Sequence, residues 1–192
     1  MCDEDTVIEG NSYLAQETKM GRRDFNKLAV GAAAILMLPP VANALEVVGH
    51  DVMVNTPDGD ADCYFVHPAK GKHPGVIIWP DILGLRPAFR LMGERLAKSG
   101  YSVLVVNPYY RSARSPVIEP GASFQDAKTR NRVMPYYRAL SAETNVTDAK
   151  AYVAYLDAQN AVDVKRKIGT TGYCMGGPMV MRTAAALPER IG

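Results

Sequence analysis

The sequence predicts a doubly wound α/β fold on a mainly parallel sheet, and three observations support that prediction. Two unbroken apolar runs, GVIIWP from Gly75 and YSVLVVNP from Tyr101, are typical of strands that helices cover on both faces. A helical pattern lies between them, and a strand, a helix and a strand with short connections form a right-handed βαβ unit. The 192 residues, 47% hydrophobic and 22% charged, suit a single packed domain.

An antiparallel hairpin is predicted before the parallel strands. Apolar and polar residues alternate over about 47–55 and 61–67, and the intervening Pro-Asp-Gly sequence is typical of a turn between antiparallel strands. Cys63 lies in the second of these strands. We interpret it as a small buried apolar residue rather than a functional thiol.

Helical patterns alternate with the remaining strands. The first helix is indicated by apolar residues at helical spacing, namely Leu85, Phe89, Met92 and Leu96. Residues 108–142 contain several Pro and Gly breaks and form a longer connection than the fold needs, which predicts an excursion over a binding face. A second apolar stripe, namely Val146, Ala149, Tyr152, Val153 and Leu156, predicts the next helix. A short strand within KRKIGTTGY and a helix within MGGPMVMRTAAALP complete the predicted order.

Residues 1–44 have the pattern of a twin-arginine export signal. RRDFNK begins at Arg22, a short apolar stretch covers 28–38, and ANA at 42–44 is a small-x-small cleavage site. The apolar stretch is shorter than the roughly 20 residues that span a bilayer, so we expect no stable membrane span. The prediction is a folded domain over 45–192, translocated by the twin-arginine machinery to the periplasm or outside a bacterial cell. An uncleaved anchor or an internal amphipathic helix is the alternative.

Charge and cysteine content exclude several function classes. The net charge of +2 is small and shows no basic footprint for nucleic acid. Only Cys63 and Cys174 remain after the predicted signal, which is too few for a disulfide framework, and no Cys-x-x-Cys or histidine cluster indicates a metal site.

The segment GYCMGG at 172–177 carries the strongest functional pattern. A residue at a tight turn between a buried strand and a helix is held in a strained conformation with its side chain projecting from the sheet edge. Gly172 and Gly176 flank Cys174 two residues away on either side, so the strand and helix can approach closely. The amides at the start of the helix would stabilise a thiolate and a neighbouring oxyanion. We therefore predict that Cys174 is a nucleophile, against the alternative that the glycines serve packing alone.

Three segments together resemble the dienelactone hydrolase family of the α/β-hydrolase fold. GYCMGG is similar to the family's Gly-x-Cys-x-Gly-Gly nucleophile elbow, and WPDILGL at 79–85 to its acidic oxyanion loop. NPYYRSARSP, after the second buried strand, resembles its substrate-facing arginine loop. The resemblance covers roughly all of the chain from residue 45 onward. It implies Cys174 as the nucleophile, with an oxyanion hole formed by the amides of Ile82 and Met175.

The same resemblance assigns two charged side chains. Asp81 stands where the family has an acidic residue, usually a longer glutamate, and a turn aspartate is the alternative interpretation. Arg111 matches the arginine that the family uses for a substrate carboxylate, and Arg114 fits equally well by spacing. The implied activity is hydrolysis of small esters or lactones, as by a carboxymethylenebutenolidase. It needs no metal and no organic cofactor.

An acid and a base for this chemistry are missing. Hydrolases of this fold place the acid and the histidine after the nucleophile, whereas His50, His67 and His73 all precede Cys174. We therefore expect the α/β-hydrolase domain to be incomplete at its C-terminal end and the chain alone to be inactive. A non-catalytic remnant or small-molecule binding module is the alternative, and a thiol redox protein is disfavoured because no second cysteine lies near Cys174.

Overall fold

The structure is a computed structural model that describes residues 40–192. It contains one mixed sheet of five strands with helices on both faces, which confirms the predicted α/β fold class. The strands are β1 (Val47–Thr56), β2 (Gly59–Pro68), β3 (Gly75–Trp79), β4 (Ser102–Val106) and β5 (Gly169–Gly172). The helices are α1 (Pro87–Lys98), α2 (Ala127–Arg138), α3 (Ala142–Asp157) and α4 (Gly176–Ala186).

The sheet order β1-β2-β4-β3-β5 divides the sheet into two parts. The hairpin β1–β2 is antiparallel, as its alternating pattern predicts, and β2 is also antiparallel to β4. In contrast, β3 is parallel to both of its neighbours, β4 and β5. The antiparallel hairpin followed by three mutually parallel strands, β3, β4 and β5, is the arrangement that the sequence predicts.

The two faces of the sheet have separate hydrophobic cores. Ile78, Val103 and Val105 face α1, together with Phe89 of that helix. Ile77 and Leu104 face the other way and pack with Tyr152 and Leu156 of α3 and with Met179 of α4. Alternate residues of β3 and β4 thus enter opposite cores, which explains why these strands are apolar without interruption.

The connection between β4 and α3 holds the helix α2, where the sequence predicts an irregular excursion. Only Thr129 and Val133 of α2 are buried, so the helix has no apolar stripe that periodicity could detect. Val133 packs with Tyr109, Val117 and Ile118 in a third small core beside the sheet.

The residue directly before β5 pairs with the segment near the end of the chain. Ile168 forms a parallel bridge with Ile191, with Ile168 N donating to Arg190 O at 2.9 Å and Gly192 N to Ile168 O at 3.1 Å.

The predicted export signal over 1–44 lies outside the described residues except for its last five positions, and it stays a prediction. Within residues 40–192, no helix is both long and apolar enough to cross a membrane. Over the same range, no group of three or more His, Cys, Asp or Glu side chains is arranged to hold a metal ion.

Candidate active site

The segments that follow β3, β4 and β5 meet at one edge of the sheet, because the carboxyl ends of parallel strands lie together. Asp81 and Ile82 follow β3, Tyr109 follows β4, and Cys174 follows β5. The topology therefore brings the predicted nucleophile and the predicted oxyanion loop to the same edge.

Cys174 has the backbone geometry of a nucleophile elbow. Its φ is +52°, in the left-handed region that non-glycine residues rarely occupy. Its side chain is exposed and forms no disulfide with a described residue. Strain of this kind at a functional side chain persists only when the surrounding structure enforces it.

Two glycines enforce the turn by close backbone approach. A Cβ at Gly176 would collide with the carbonyl oxygen of Trp79 and lie 2.9 Å from that of Pro80. A Cβ at Gly172 would collide with the carbonyl oxygen of Gly176 and lie 2.8 Å from a methyl group of Val180. Strand β3, strand β5 and helix α4 thus pack so tightly here that any side chain would force them apart.

The amides of Ile82 and Met175 are available as donors. Within residues 40–192, neither N–H donates a hydrogen bond to a described acceptor, while the neighbouring amides of Leu83, Gly84, Gly176 and Gly177 all do. Met175 directly follows Cys174 and precedes α4, whose N-terminus carries positive partial charge. Free amides beside a nucleophile are what an oxyanion hole requires.

Tyr109, which no sequence pattern singled out, contacts both Ile82 and Met175. Its hydroxyl lies 2.9 Å from the carbonyl oxygen of Ile82 and 3.1 Å from the sulfur of Met175. Burial raises the pKa of this phenol well above its ordinary value, and the charge of Asp81 adds to that effect, so the hydroxyl keeps its proton. Its position in the sequence could have indicated Tyr109, because it comes shortly after the buried strand β4, at the sheet edge where the site was expected.

The carboxylate of Asp81 is engaged within its own loop. Oδ1 and Oδ2 accept hydrogen bonds from the two terminal nitrogens of Arg86, at 2.7 and 2.8 Å, and Oδ1 also accepts from the Leu83 amide at 2.9 Å. The Arg86 guanidinium lies over the ring of Phe89, 4.9 Å from its centroid. Asp81 therefore has the contacts of a turn aspartate, and its action on the Cys174 thiol stays a prediction.

Arg111 is bound by two carboxylates. It donates to Asp148 at 2.7 and 2.9 Å and to Asp58 at 2.5 and 3.0 Å. Burial by itself lowers the pKa of Arg111, but these hydrogen bonds more than offset that effect and raise it. Arg114 donates to the carbonyl of Asp60 at 2.7 Å, and its side chain is 59% exposed. The described contacts of both arginines are with protein groups, so a role toward a substrate stays a prediction for either.

Cys63 is buried, and the three histidines lie away from this edge of the sheet. Cys63 is 1% exposed, as predicted, and burial raises the pKa of its thiol. His73 precedes β3 and contacts the carbonyls of Gly100 and Lys70 at the opposite end of the sheet. His50 and His67 belong to the hairpin, where their rings lie 6.4 Å apart. As the sequence predicts, none of them is placed to act as a base for Cys174.

Comparison with known proteins agrees with this geometry. The family model described as "Dienelactone hydrolase family" matches residues 61–191. The chain belongs to the dienelactone hydrolase family. The matched segment contains Asp81, Ile82, Tyr109, Cys174 and Met175, so all the residues that meet at the sheet edge lie within the family region.

Several curated relatives are carboxymethylenebutenolidases. The protein from Pseudomonas putida is 29% identical over 118 residues, which cover 62% of this chain and 48% of the relative. The protein from Pseudomonas sp. strain P51 is 31% identical over 120 residues, covering 62% of this chain and 47% of the relative. The chain therefore spans about half the length of these two relatives.

Solved structures show the same fold. A putative dienelactone hydrolase from Klebsiella pneumoniae superposes with a TM-score of 0.62 at 19% identity, covering 76% of this chain and 57% of that protein. An esterase from Pyrobaculum calidifontis has a TM-score of 0.53 at 20% identity, covering 93% of this chain and 52% of the esterase. Likeness at this identity supports the α/β-hydrolase fold.

Proposed function

We propose that the chain carries the nucleophile and oxyanion hole of a hydrolase that opens small esters or lactones through an acyl-enzyme on Cys174. The observation that supports this most directly is the left-handed backbone of an exposed cysteine that is followed by a free amide. The family membership and the carboxymethylenebutenolidase relatives favour small, carboxylate-bearing esters and lactones as substrates.

The proposed reaction uses the residues at the sheet edge in two steps. The Cys174 thiolate attacks the carbonyl carbon, a C–S bond forms, and the carbonyl oxygen becomes an oxyanion that accepts hydrogen bonds from the Ile82 and Met175 amides. When the carbonyl re-forms, the C–O bond breaks and the leaving oxygen departs as an alcohol after gaining a proton. For a lactone that oxygen stays attached to the acyl group. Water then hydrolyses the thioester to a carboxylic acid and regenerates the thiol.

Proton transfer in both steps requires a base that His50, His67 and His73 do not supply. We propose that the acid and the histidine come from sequence that the gene encodes after Gly192. The alignments with the carboxymethylenebutenolidase relatives support this, because they cover 48% and 47% of the length of those relatives.

The distance of the histidines from Cys174 favours one rival function, a module that binds a small ester or carboxylate without turnover. The rival keeps the site at the sheet edge, with the Ile82 and Met175 amides, and it predicts binding without hydrolysis. Reading the gene beyond Gly192 distinguishes the two. An in-frame aspartate and then a histidine support the enzyme, and a stop codon supports the binding module.

The test of the proposal is turnover of p-nitrophenyl acetate by the protein that the gene encodes in full. Cys174→Ala should lower kcat by at least about 10³-fold, because a covalent mechanism has no route without its nucleophile. Iodoacetamide should label Cys174 rapidly and leave the buried Cys63 unlabelled until the protein unfolds. Equal turnover by the wild type and Cys174→Ala would refute the cysteine mechanism.

A further inference from the structure

Among the hydrogen bonds of the described residues, Tyr109 is the one side chain with polar contacts to both proposed oxyanion-hole residues. Ile82 and Met175 follow different strands, β3 and β5, and no backbone hydrogen bond is described between them. We propose that Tyr109 is a positioning residue that holds the two halves of the oxyanion hole at a constant separation. This inference rests on the proposed function of the site.

The hydroxyl of Tyr109 has a single proton to donate. The carbonyl oxygen of Ile82, at 2.9 Å, is a stronger acceptor than the thioether sulfur of Met175, at 3.1 Å. We therefore assign the hydrogen bond to Ile82 and a close polar contact to Met175. Tyr109 thus restrains the carbonyl of Ile82 in one half of the oxyanion hole and the side chain of Met175 in the other half.

Tyr109 is itself held rigidly. It is 1% exposed, and its backbone N–H donates to Oδ1 of Asn107 at 3.0 Å. The amide group of Asn107 in turn donates to Asp62 at 2.8 Å and to the carbonyl of Ala113 at 2.9 Å. The ring also packs against Tyr136 of α2, with centroids 5.7 Å apart. These contacts connect Tyr109 to β2 and to the excursion after β4, so the hydroxyl has a defined position.

The backbone around Ile82 shows how a bond to its carbonyl can orient its amide. The carbonyl of Asp81 accepts from the Gly84 amide at 2.9 Å. Because a trans peptide is planar, the Ile82 N–H points away from that carbonyl, and it is therefore directed out of the turn. Tyr109 fixes the following carbonyl, so the peptides on both sides of the Ile82 Cα are restrained. A rotation of the Ile82 amide would have to break one of these two hydrogen bonds.

The turn also accommodates the ring closely. Gly84 has a φ of +72°, and a Cβ there would lie 3.3 Å from two ring carbons of Tyr109. The ring therefore rests against the backbone of the same turn whose carbonyl its hydroxyl binds. Phenylalanine at 109 would keep this packing and remove only the hydrogen bond.

The test is Tyr109→Phe in the protein that the gene encodes in full, with Tyr152→Phe as a matched control. Tyr152 is also fully buried, and its hydroxyl has no hydrogen-bond partner among the described residues. We expect Tyr109→Phe to lower kcat for p-nitrophenyl acetate by about tenfold with KM unchanged, since one hydrogen bond is worth roughly that factor. Alkylation of Cys174 by iodoacetamide forms no oxyanion, so its rate should be the same in both variants and the wild type.

Hydrogen exchange gives a readout that needs no turnover. In Tyr109→Phe, the amides of Leu83 and Gly84 should lose protection relative to Tyr152→Phe. Unchanged kcat, or an equal loss of kcat in both variants, overturns the proposal. If the wild type hydrolyses no ester, the proposed function fails, and exchange alone then decides whether Tyr109 holds the loop: unchanged protection of Leu83 and Gly84 overturns it.

Discussion

At the scale of single residues, the site depends on the absence of a side chain at glycine as much as on the side chains that are present. Gly176 lies against the carbonyl oxygens of Trp79 and Pro80, whereas a Cβ at the adjacent Gly177 would have no neighbour within 4 Å. The adjacent glycines Gly176 and Gly177 are therefore not equivalent. Gly176 is required by the close packing of α4 on β3, while Gly177 is not restricted by packing.

Substitution of the two glycines by alanine should separate these roles. Gly176→Ala should lower the free energy of unfolding by about 3 kcal/mol or more, because backbone carbonyls cannot move aside as a flexible side chain could. Gly177→Ala should leave the free energy of unfolding unchanged or raise it by up to about 1 kcal/mol, because alanine favours the helix. Urea unfolding of both variants measures the difference. Equal stability would show that the elbow does not need the close approach.

The Arg86–Asp81 pair illustrates how a residue's chemistry can be redirected by its neighbours. The sequence predicts Asp81 as the acidic residue of the oxyanion loop, from its resemblance to the family pattern. In the structure both of its oxygens face the Arg86 guanidinium, which is 13% exposed. A bidentate pair of this kind gives the loop a defined geometry.

At the scale of elements, one ion-pair network joins three parts of the fold. Arg111, in the connection after β4, binds Asp58 in the β1–β2 turn and Asp148 in α3. Tyr110 adds hydrogen-bond contacts with Asp148 at 2.8 Å and Thr56 at 2.7 Å. Burial raises the pKa of Asp148, and the hydrogen bonds from Arg111 and Tyr110 oppose that rise. The carboxylate therefore depends on Arg111 for its charge compensation.

This network gives Arg111 a structural role that can be distinguished from substrate binding. Arg111→Ala should lower the free energy of unfolding by about 3 kcal/mol, because it leaves the buried Asp148 carboxylate without its ion pair. Arg114→Ala should cost less than about 1 kcal/mol, since its side chain is largely exposed. Thermal unfolding compares the two variants. A normal melting temperature for Arg111→Ala, together with a raised KM, would instead support the substrate-binding role.

At the scale of the whole molecule, the sheet has two unlike edges. One edge is formed by the antiparallel hairpin, with β1 as the outermost strand. On the other side β5 is short and half-buried along its length, and Ile168, the residue directly before it, pairs with Ile191. That pairing is parallel, like the pairing of β3 with β5.

Export can be tested separately from catalysis. Replacing Arg22 and Arg23 together by lysine should abolish translocation, because lysine keeps the charge but loses the guanidinium groups of the twin-arginine pattern. Fractionation of cells that express the wild type and the double variant measures this. A wild-type protein that stays in the cytoplasm, or a double variant that is exported equally well, would contradict the export signal.

Much of the fold followed from local patterns. The hairpin, the two buried strands and the helices α1, α3 and α4 were all predicted, because periodicity records which side of an element faces the core. Helix α2 was not, since it buries only Thr129 and Val133 and leaves no stripe to detect. The tight turn at Cys174 was predicted because glycines at a strand-to-helix turn form a local pattern, and the structure has that turn, with a φ of +52° at Cys174. The role of Cys174 as a nucleophile stays a prediction.

The sequence by itself determined the fold class, the position of the tight turn at Cys174 and the edge of the sheet where the predicted site residues meet. These depend on hydrophobic spacing and on glycine, which act between neighbours along the chain. Only the tertiary structure decided that Tyr109 bridges Ile82 and Met175, that Arg86 engages Asp81, and that Arg111 is bound by Asp58 and Asp148. These partners lie up to 66 residues apart in the chain. Hydrogen bonds and ion pairs depend on distance in space, so no pattern along the sequence specifies which groups will meet.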